Sequence, residues 1–149
     1  LLAFVVTAAH LVGMAVVVDE SRICDGARDS PRRIDESFAP GSLDAIVCFD
    51  VFHHLPDATG FLRGASRVLR PGGRLSIYLT SAETMRGWKL VGAGTHRLFT
   101  PQDVSMAMQQ AGFLPHDFGV KSVQIEGGVE GILALGRMSK RVSDAAKAA

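Results

Sequence analysis

The side chains best suited to acid–base chemistry at neutral pH are two adjacent imidazoles, His53 and His54, which follow the acid Asp50 by three and four residues. A neutral imidazole titrates near physiological pH and can take a proton from a substrate O–H or N–H. The competing role is structural, a hydrogen bond to backbone while the ring packs on a following helix. Further acids stand at Asp19, Glu20 and Asp25, and Tyr78, Trp88 and His96 could line a substrate or simply pack. No His, Cys, Asp and Glu set has metal-ligand spacing, adjacent histidines would point apart in a strand, and Cys24 and Cys48 form no CxxC motif. No metal is expected. Gly41-Ser42-Leu43 is not a nucleophile elbow, because no G-x-S-x-G surrounds the serine, so a hydrolase is disfavoured.

Residues 43–51 (LDAIVCFDV) must position Asp50 and the histidines, and their near-continuous apolar centre predicts a strand buried on both faces, as in a parallel sheet. Open α/β sheets bind ligands outside the C-terminal ends of their strands, so Phe49 and Asp50 should face a crevice, with Asp44 structural at the opposite end. A helix follows, with Asp57 as N-cap and Phe61, Leu62, Ala65, Val68 and Leu69 on one stripe. Pro71-Gly72-Gly73 should end it, since proline stops a helix and glycine admits the positive φ of a tight reversal. Residues 75–79 read as the next strand, and 81–94 as a glycine-containing irregular segment. Thr100-Pro101-Gln102-Asp103 is close to a capping box opening a helix that buries Val104, Ala107, Met108 and Ala111 and stops at Gly112. Two closing strands are expected within 113–120 and over 132–136, joined by a turn at 126–131. Residues 139–149 read as a frayed helical tail.

Upstream, residues 1–18 (LLAFVVTAAHLVGMAVVV) contain no Asp, Glu, Lys or Arg. The run reaches the lower limit of a membrane span, but no cation precedes it, Asp19-Glu20 closes it, and Thr7, His10 and Gly13 interrupt it. Buried helix plus strand, with a strand at 15–18, is therefore the expected reading, and membrane association is not expected. Residues 19–44 carry eleven charged side chains and read mostly as loop. With 47% hydrophobic and 21% charged residues in 149, the chain suits one folded domain rather than disorder or coiled coil. Sixteen Lys plus Arg against fifteen Asp plus Glu leave a net charge of +1, too balanced for phosphate-backbone binding, so no nucleic acid partner is expected. The lack of a disulfide framework points to a reducing cytoplasm.

Residues 41–78 (GSLDAIVCFDVFHHLPDATGFLRGASRVLRPGGRLSIY) carry a G-S-L-D strand start, an H-H-L-P-D turn, a helix ending R-V-L-R-P-G-G and an immediate strand, in that order. This set closely resembles the second half of a class I S-adenosylmethionine-dependent methyltransferase. Residues 95–113 (THRLFTPQDVSMAMQQAGF) resemble that family's later helix. The resemblance implies an α/β fold, a doubly wound and mostly parallel Rossmann-like sheet, over residues 1–138. The family's acid followed by G-x-G-x-G occurs nowhere in this sequence, so the first strand and helix are expected to be missing. The absent initiator Met suggests a truncated copy; a degenerate relative is the other reading.

The resemblance further implies S-adenosylmethionine as cofactor and a small-molecule methyl acceptor. It places Asp19 or Glu20, at the end of the second strand, on the cofactor ribose, where a carboxylate can accept from both hydroxyls. Only 25 residues separate Asp19 from Asp44. If 16–18 is instead the third strand, Asp25-Gly26-Ala27 is the counterpart near the adenine. Phe49 and Asp50 should lie by cofactor and substrate, with His54, and His53 beside it, as candidate general base. Methyl transfer from a sulfonium can also proceed by in-line positioning alone. The rival functional classes are a non-catalytic remnant or binding module and a membrane-anchored protein. A sheet missing its first strand has an open edge, which predicts self-association.

Overall fold

The computed structural model describes residues 34–88, 97–125 and 127–139. Asp19, Glu20, Asp25, the strand expected at 15–18, His96 and the expected tail lie outside them. The elements in order are α1 (Ile34–Ser37), β1 (Leu43–Phe49), a 3-10 turn (Phe52–His54), α2 (Ala58–Val68), β2 (Leu69–Thr80), α3 (Ala82–Arg86), α4 (Pro101–Gln110), β3 (Phe118–Ile125) and β4 (Val129–Arg137). The described strands form one sheet in the order β1-β2-β4-β3. β1 and β2 are parallel, with α2 as the crossover that such a pair requires, and β4 runs antiparallel to both β2 and β3. The expected α/β class stands, and among the described strands the sheet is mixed. No helix of the described residues is long and apolar enough to cross a membrane.

Local chemistry explains α2 and α4. The Asp57 carboxylate accepts from the Gly60 amide at 2.7 Å, capping α2, and Leu62, Ala65 and Val68 are buried against the sheet. In α4 the Thr100 hydroxyl accepts from the Asp103 amide at 3.2 Å while the Asp103 carboxylate accepts from the Thr100 amide at 2.9 Å. The expected near match is thus a complete capping box, with aspartate at the position usually held by the longer glutamate. The Thr100 hydroxyl, then its amide, hold the Asp103 carboxyl below its ordinary range. That contribution is complete above the unfolded carboxylate pKa and is lost as pH falls through the lowered folded value. Thr100→Ala is expected to lower unfolding free energy by about 1 kcal/mol in urea denaturation, with Thr100→Ser recovering most of it. No difference between the two variants would exclude the cap as a source of stability.

Three sequence expectations need correction. Pro71-Gly72-Gly73 does not separate helix from strand: β2 begins at Leu69, and the motif lies inside it, where pairing shifts from Leu43 with Leu69 to Ala45 with Arg74. Gly72, at φ +82°, donates to the Met138 carbonyl at 2.6 Å, and a Cβ on Gly73 would lie 2.9 Å from the Arg70 carbonyl oxygen. Tertiary pairing therefore keeps the irregular segment in the ladder. Second, among the described residues only one face of β1 is covered. Ile46 and Cys48 are buried, whereas Val47 is 51% and Phe49 64% exposed. Successive strand residues face opposite ways, and α2 and α4 share one core on a single side of the sheet. Third, the first closing strand is shifted towards the C-terminus, and the second contains the expected 132–136 but is longer. A turn in which the Asp117 amide donates to the Leu114 carbonyl delays β3 to Phe118, and β4 starts at Val129, after Gly127 and Gly128 take positive φ.

Candidate functional site

Because β1 and β2 run parallel, their C-terminal ends meet at one rim of the sheet, where the register sets Phe49 beside Tyr78. Their rings stack with centroids 4.9 Å apart and planes 22° from parallel. A Cβ on Gly131 would come within 2.5 Å of the Tyr78 ring, so glycine leaves the space in which that ring lies. Burial, and secondarily the Asp50 charge, raise the Tyr78 hydroxyl above its ordinary range.

Asp50 terminates β1 at φ +53°, and among the described residues it alone adopts positive φ without being glycine. Aspartate tolerates this region better than bulkier residues, at a cost of order 1 kcal/mol. Three hydrogen bonds hold it there. Its amide donates to the Tyr78 carbonyl at 2.7 Å, and one carboxylate oxygen accepts from both the amide and the hydroxyl of buried Thr80, each at 3.2 Å. The result is a carboxylate fixed at the rim, with its side chain 44% exposed. Strain at a position so thoroughly held marks a candidate functional residue. Thr80 escapes the sequence reading, because its contact with Asp50 exists only through the β1–β2 register. A short hydroxyl side chain at the end of a strand, level with an acid ending its neighbour, is the signal available.

The two histidines take different environments. They occupy the 3-10 turn, in which the His54 amide donates to the Val51 carbonyl at 2.8 Å, rather than an extended strand. Their rings therefore pack at 4.0 Å instead of pointing apart, correcting the geometry assumed from adjacency. His53 is 4% exposed, and its Nδ1 is buried without a hydrogen-bond partner, 3.9 Å from the Asp50 carboxylate. Burial first, and the neighbouring His54 second, push its pKa down to about 4, against an upward pull from Asp50. His53 is thus neutral at pH 7. His54 is half-buried on the same turn. Beneath them Phe52 is buried against Phe99 at 4.9 Å, and the guanidinium of Arg97, paired with Asp103, lies 5.1 Å from the Phe99 ring centre. The Arg97 amide donates to the His53 carbonyl at 3.3 Å, tying the segment before α4 to the turn. Trp88 stands apart, 46% exposed after α3.

A histidine whose folded pKa lies below its unfolded value makes stability rise with pH, because the unfolded chain binds more protons. The wild-type protein is therefore expected to lose stability as pH falls from about 6.5 towards 4, the window between the model and lowered values of His53. His53→Phe should flatten that decline in denaturant midpoints measured across the window. An unchanged slope would show that His53 is not the group responsible.

Residues 26–77 match the family model described as a methyltransferase domain. The chain is 32% identical over 102 residues to the ubiquinone biosynthesis O-methyltransferase of Methylobacterium sp., covering 58% of this chain and 41% of that protein. It is 29% identical over 96 residues to the enzyme of the same name from Aeromonas salmonicida, covering 54% and 40%. Over a 37-residue stretch, 25% of this chain and 16% of the relative, identity to the Xanthomonas oryzae enzyme of that name reaches 46%. The chain thus spans less than half the length of these relatives. Among solved structures, Haemonchus contortus phosphoethanolamine N-methyltransferase 2 with S-adenosyl-L-methionine superposes with a TM-score of 0.56 at 12% identity, over 69% of this chain and 35% of that one. Burkholderia thailandensis 1,6-didemethyltoxoflavin-N1-methyltransferase gives 0.55 at 16% identity, over 74% and 50%. Both likenesses establish the fold. Against the S-adenosyl-L-methionine held by the Haemonchus contortus enzyme, the rim fits in part. A fixed carboxylate and buried hydroxyl can meet polar groups of a ligand, but the sequence contains no glycine-rich loop to bring backbone amides to it.

Proposed function

We propose that this chain, which is related to the class I S-adenosylmethionine-dependent methyltransferases, supplies the acceptor side of a domain that methylates a small molecule. The observation carrying this reading is the rim itself: the H-H-L-P-D turn follows directly on a strand end where Asp50 is held in a strained conformation by Thr80. When bound, S-adenosylmethionine would supply an electrophilic methyl group. In this reading Asp50 and Phe49 border the space shared by cofactor and acceptor, and His54 takes the acceptor proton. His53 supports that turn from beneath. The relatives named as O-methyltransferases favour a hydroxyl acceptor, which gains from a base more than an already nucleophilic amine does. Asp19 or Glu20 would hold the ribose, with Asp25 the alternative contact near the adenine. A reducing, cytoplasmic setting suits the cysteine usage.

The missing glycine-rich loop favours one competing reading, a remnant that keeps the sheet and has lost cofactor binding. Sequencing the coding DNA ahead of Leu1 separates the two. An in-frame acid followed by G-x-G-x-G upstream is the expected result. A stop codon upstream, with a Met start inside this region, would assign the chain to the remnant.

A further inference from the structure

Residues 97–100 join the histidine turn to two helices. The Arg97 amide donates to the His53 carbonyl at 3.3 Å, the Phe99 carbonyl accepts from the Ala82 amide at the start of α3 at 2.9 Å, and Thr100 caps α4. The buried Phe99 ring lies against Phe52 of the turn at 4.9 Å, and the Arg97 guanidinium stands over that ring at 5.1 Å. The capping acid keeps one oxygen out of the cap. Asp103 Oδ2 accepts from the Thr100 hydroxyl at 2.6 Å and amide at 2.9 Å, while Oδ1 accepts from Arg97 Nη2 at 2.8 Å. Arg97 thus holds α4 with its side chain and the turn with its backbone. Resting on the reading of His54 as the acceptor-side base, we propose that Arg97 is a positioning residue, a clasp between the α4 cap and the histidine turn that sets where His54 stands.

Hydrogen-bond accounting shows why the turn needs an outside tie. Within it the His54 amide donates to the Val51 carbonyl at 2.8 Å and the Leu55 amide to the Phe52 carbonyl at 3.3 Å. The next carbonyl in line, that of His53, is met by the Arg97 amide instead. A single 3-10 turn with so few bonds of its own opens locally unless neighbours hold it. The magnitudes separate this role from bulk stabilisation. The Arg97 and Asp103 side chains are 61% and 30% exposed, and an ion pair so open to water adds little to the stability of the whole fold. Its effect falls on the one segment it restrains. Arg67 and Asp35, paired at 3.1 Å with Arg67 equally exposed, form a comparable bridge on α2 that does not touch the segment before α4.

Amide hydrogen exchange followed by NMR on the 149-residue chain tests the clasp, with the Leu62 amide in α2 reporting whether each variant is folded. Arg97→Ala should speed exchange of the His54 amide about fivefold relative to Leu62, the effect of losing an exposed ion pair and a cation–π contact together. Asp103→Asn should act in the same direction, and the double variant should be no faster than Arg97→Ala alone, because the two side chains work as a unit. Arg97→Lys, which keeps the cation, should restore most of the protection. In Arg97→Ala the His53 imidazole should also titrate above its value of about 4, since opening rehydrates a ring held down chiefly by burial. Arg67→Ala is the control and should leave His54 exchange unchanged. None of these readouts uses cofactor or turnover, so an inactive protein with an intact clasp would count against the methyltransferase reading alone. His54 exchange unchanged in Arg97→Ala, or raised only in step with Leu62, would overturn the proposal by showing Arg97 to be an ordinary surface residue. An effect of Arg97→Ala that Asp103→Asn fails to reproduce would overturn it as well.

Discussion

In an active protein carrying these residues, His54→Ala is expected to lower kcat by at least about tenfold, general-base assistance contributing about 10² to 10⁴ in rate, with cofactor affinity nearly unchanged. His53→Ala is the control. Its imidazole is buried, which keeps it from contact with a bound acceptor. Removing it should lower stability by about 1 to 3 kcal/mol, the usual range for a buried truncation, with little change in turnover per folded molecule. Steady-state kinetics on both variants, normalised to folded protein by thermal melts, separates the roles. Equal and small kinetic effects, each with a lower melting temperature, would assign both histidines to structure. In-line positioning alone would then account for transfer.

What was legible in the sequence is what short-range chemistry decides. Asp57 and Thr100 specify helix starts because their partners, Gly60 and Asp103, lie three residues away. The apolar stripe of α2 reads directly because a helix repeats every few residues. What was not legible depends on pairing between distant segments. Pro71 and its two glycines look like a terminator until β1 and the chain near Met138 draw them into the ladder. Asp50 reads as a strand residue until Thr80, thirty positions on, holds it at positive φ. An apolar run such as IVCF implies burial on both faces, yet Val47 shows that the pattern cannot say which segment lies on the second face. The candidate site follows the same division. Sequence located the strand end and the two histidines, whereas the difference between those histidines came from the turn that buries one of them.

The fixed rim and the absent glycine-rich loop together set the expected affinity of this chain for S-adenosylmethionine. In a complete site, that loop brings backbone amides to a charged ligand, and helix or loop N–H groups are well suited to holding such groups. Each hydrogen bond to a charged group contributes on the order of 1.5 to 3 kcal/mol. Losing two or three of them spans about 3 to 9 kcal/mol, and since ~1.4 kcal/mol is tenfold in affinity, a micromolar site moves to or beyond millimolar. The rim cannot compensate. Asp50 already spends one carboxylate oxygen on Thr80, and Phe49 and Tyr78 offer stacking area without new charge–dipole contacts. Calorimetric titration of the 149-residue chain is therefore expected to show no saturable heat up to about millimolar cofactor. A dissociation constant below about ten micromolar would mean that residues of this chain replace the glycine-rich loop, with Asp19, Glu20 and Asp25 the first to substitute in search of them.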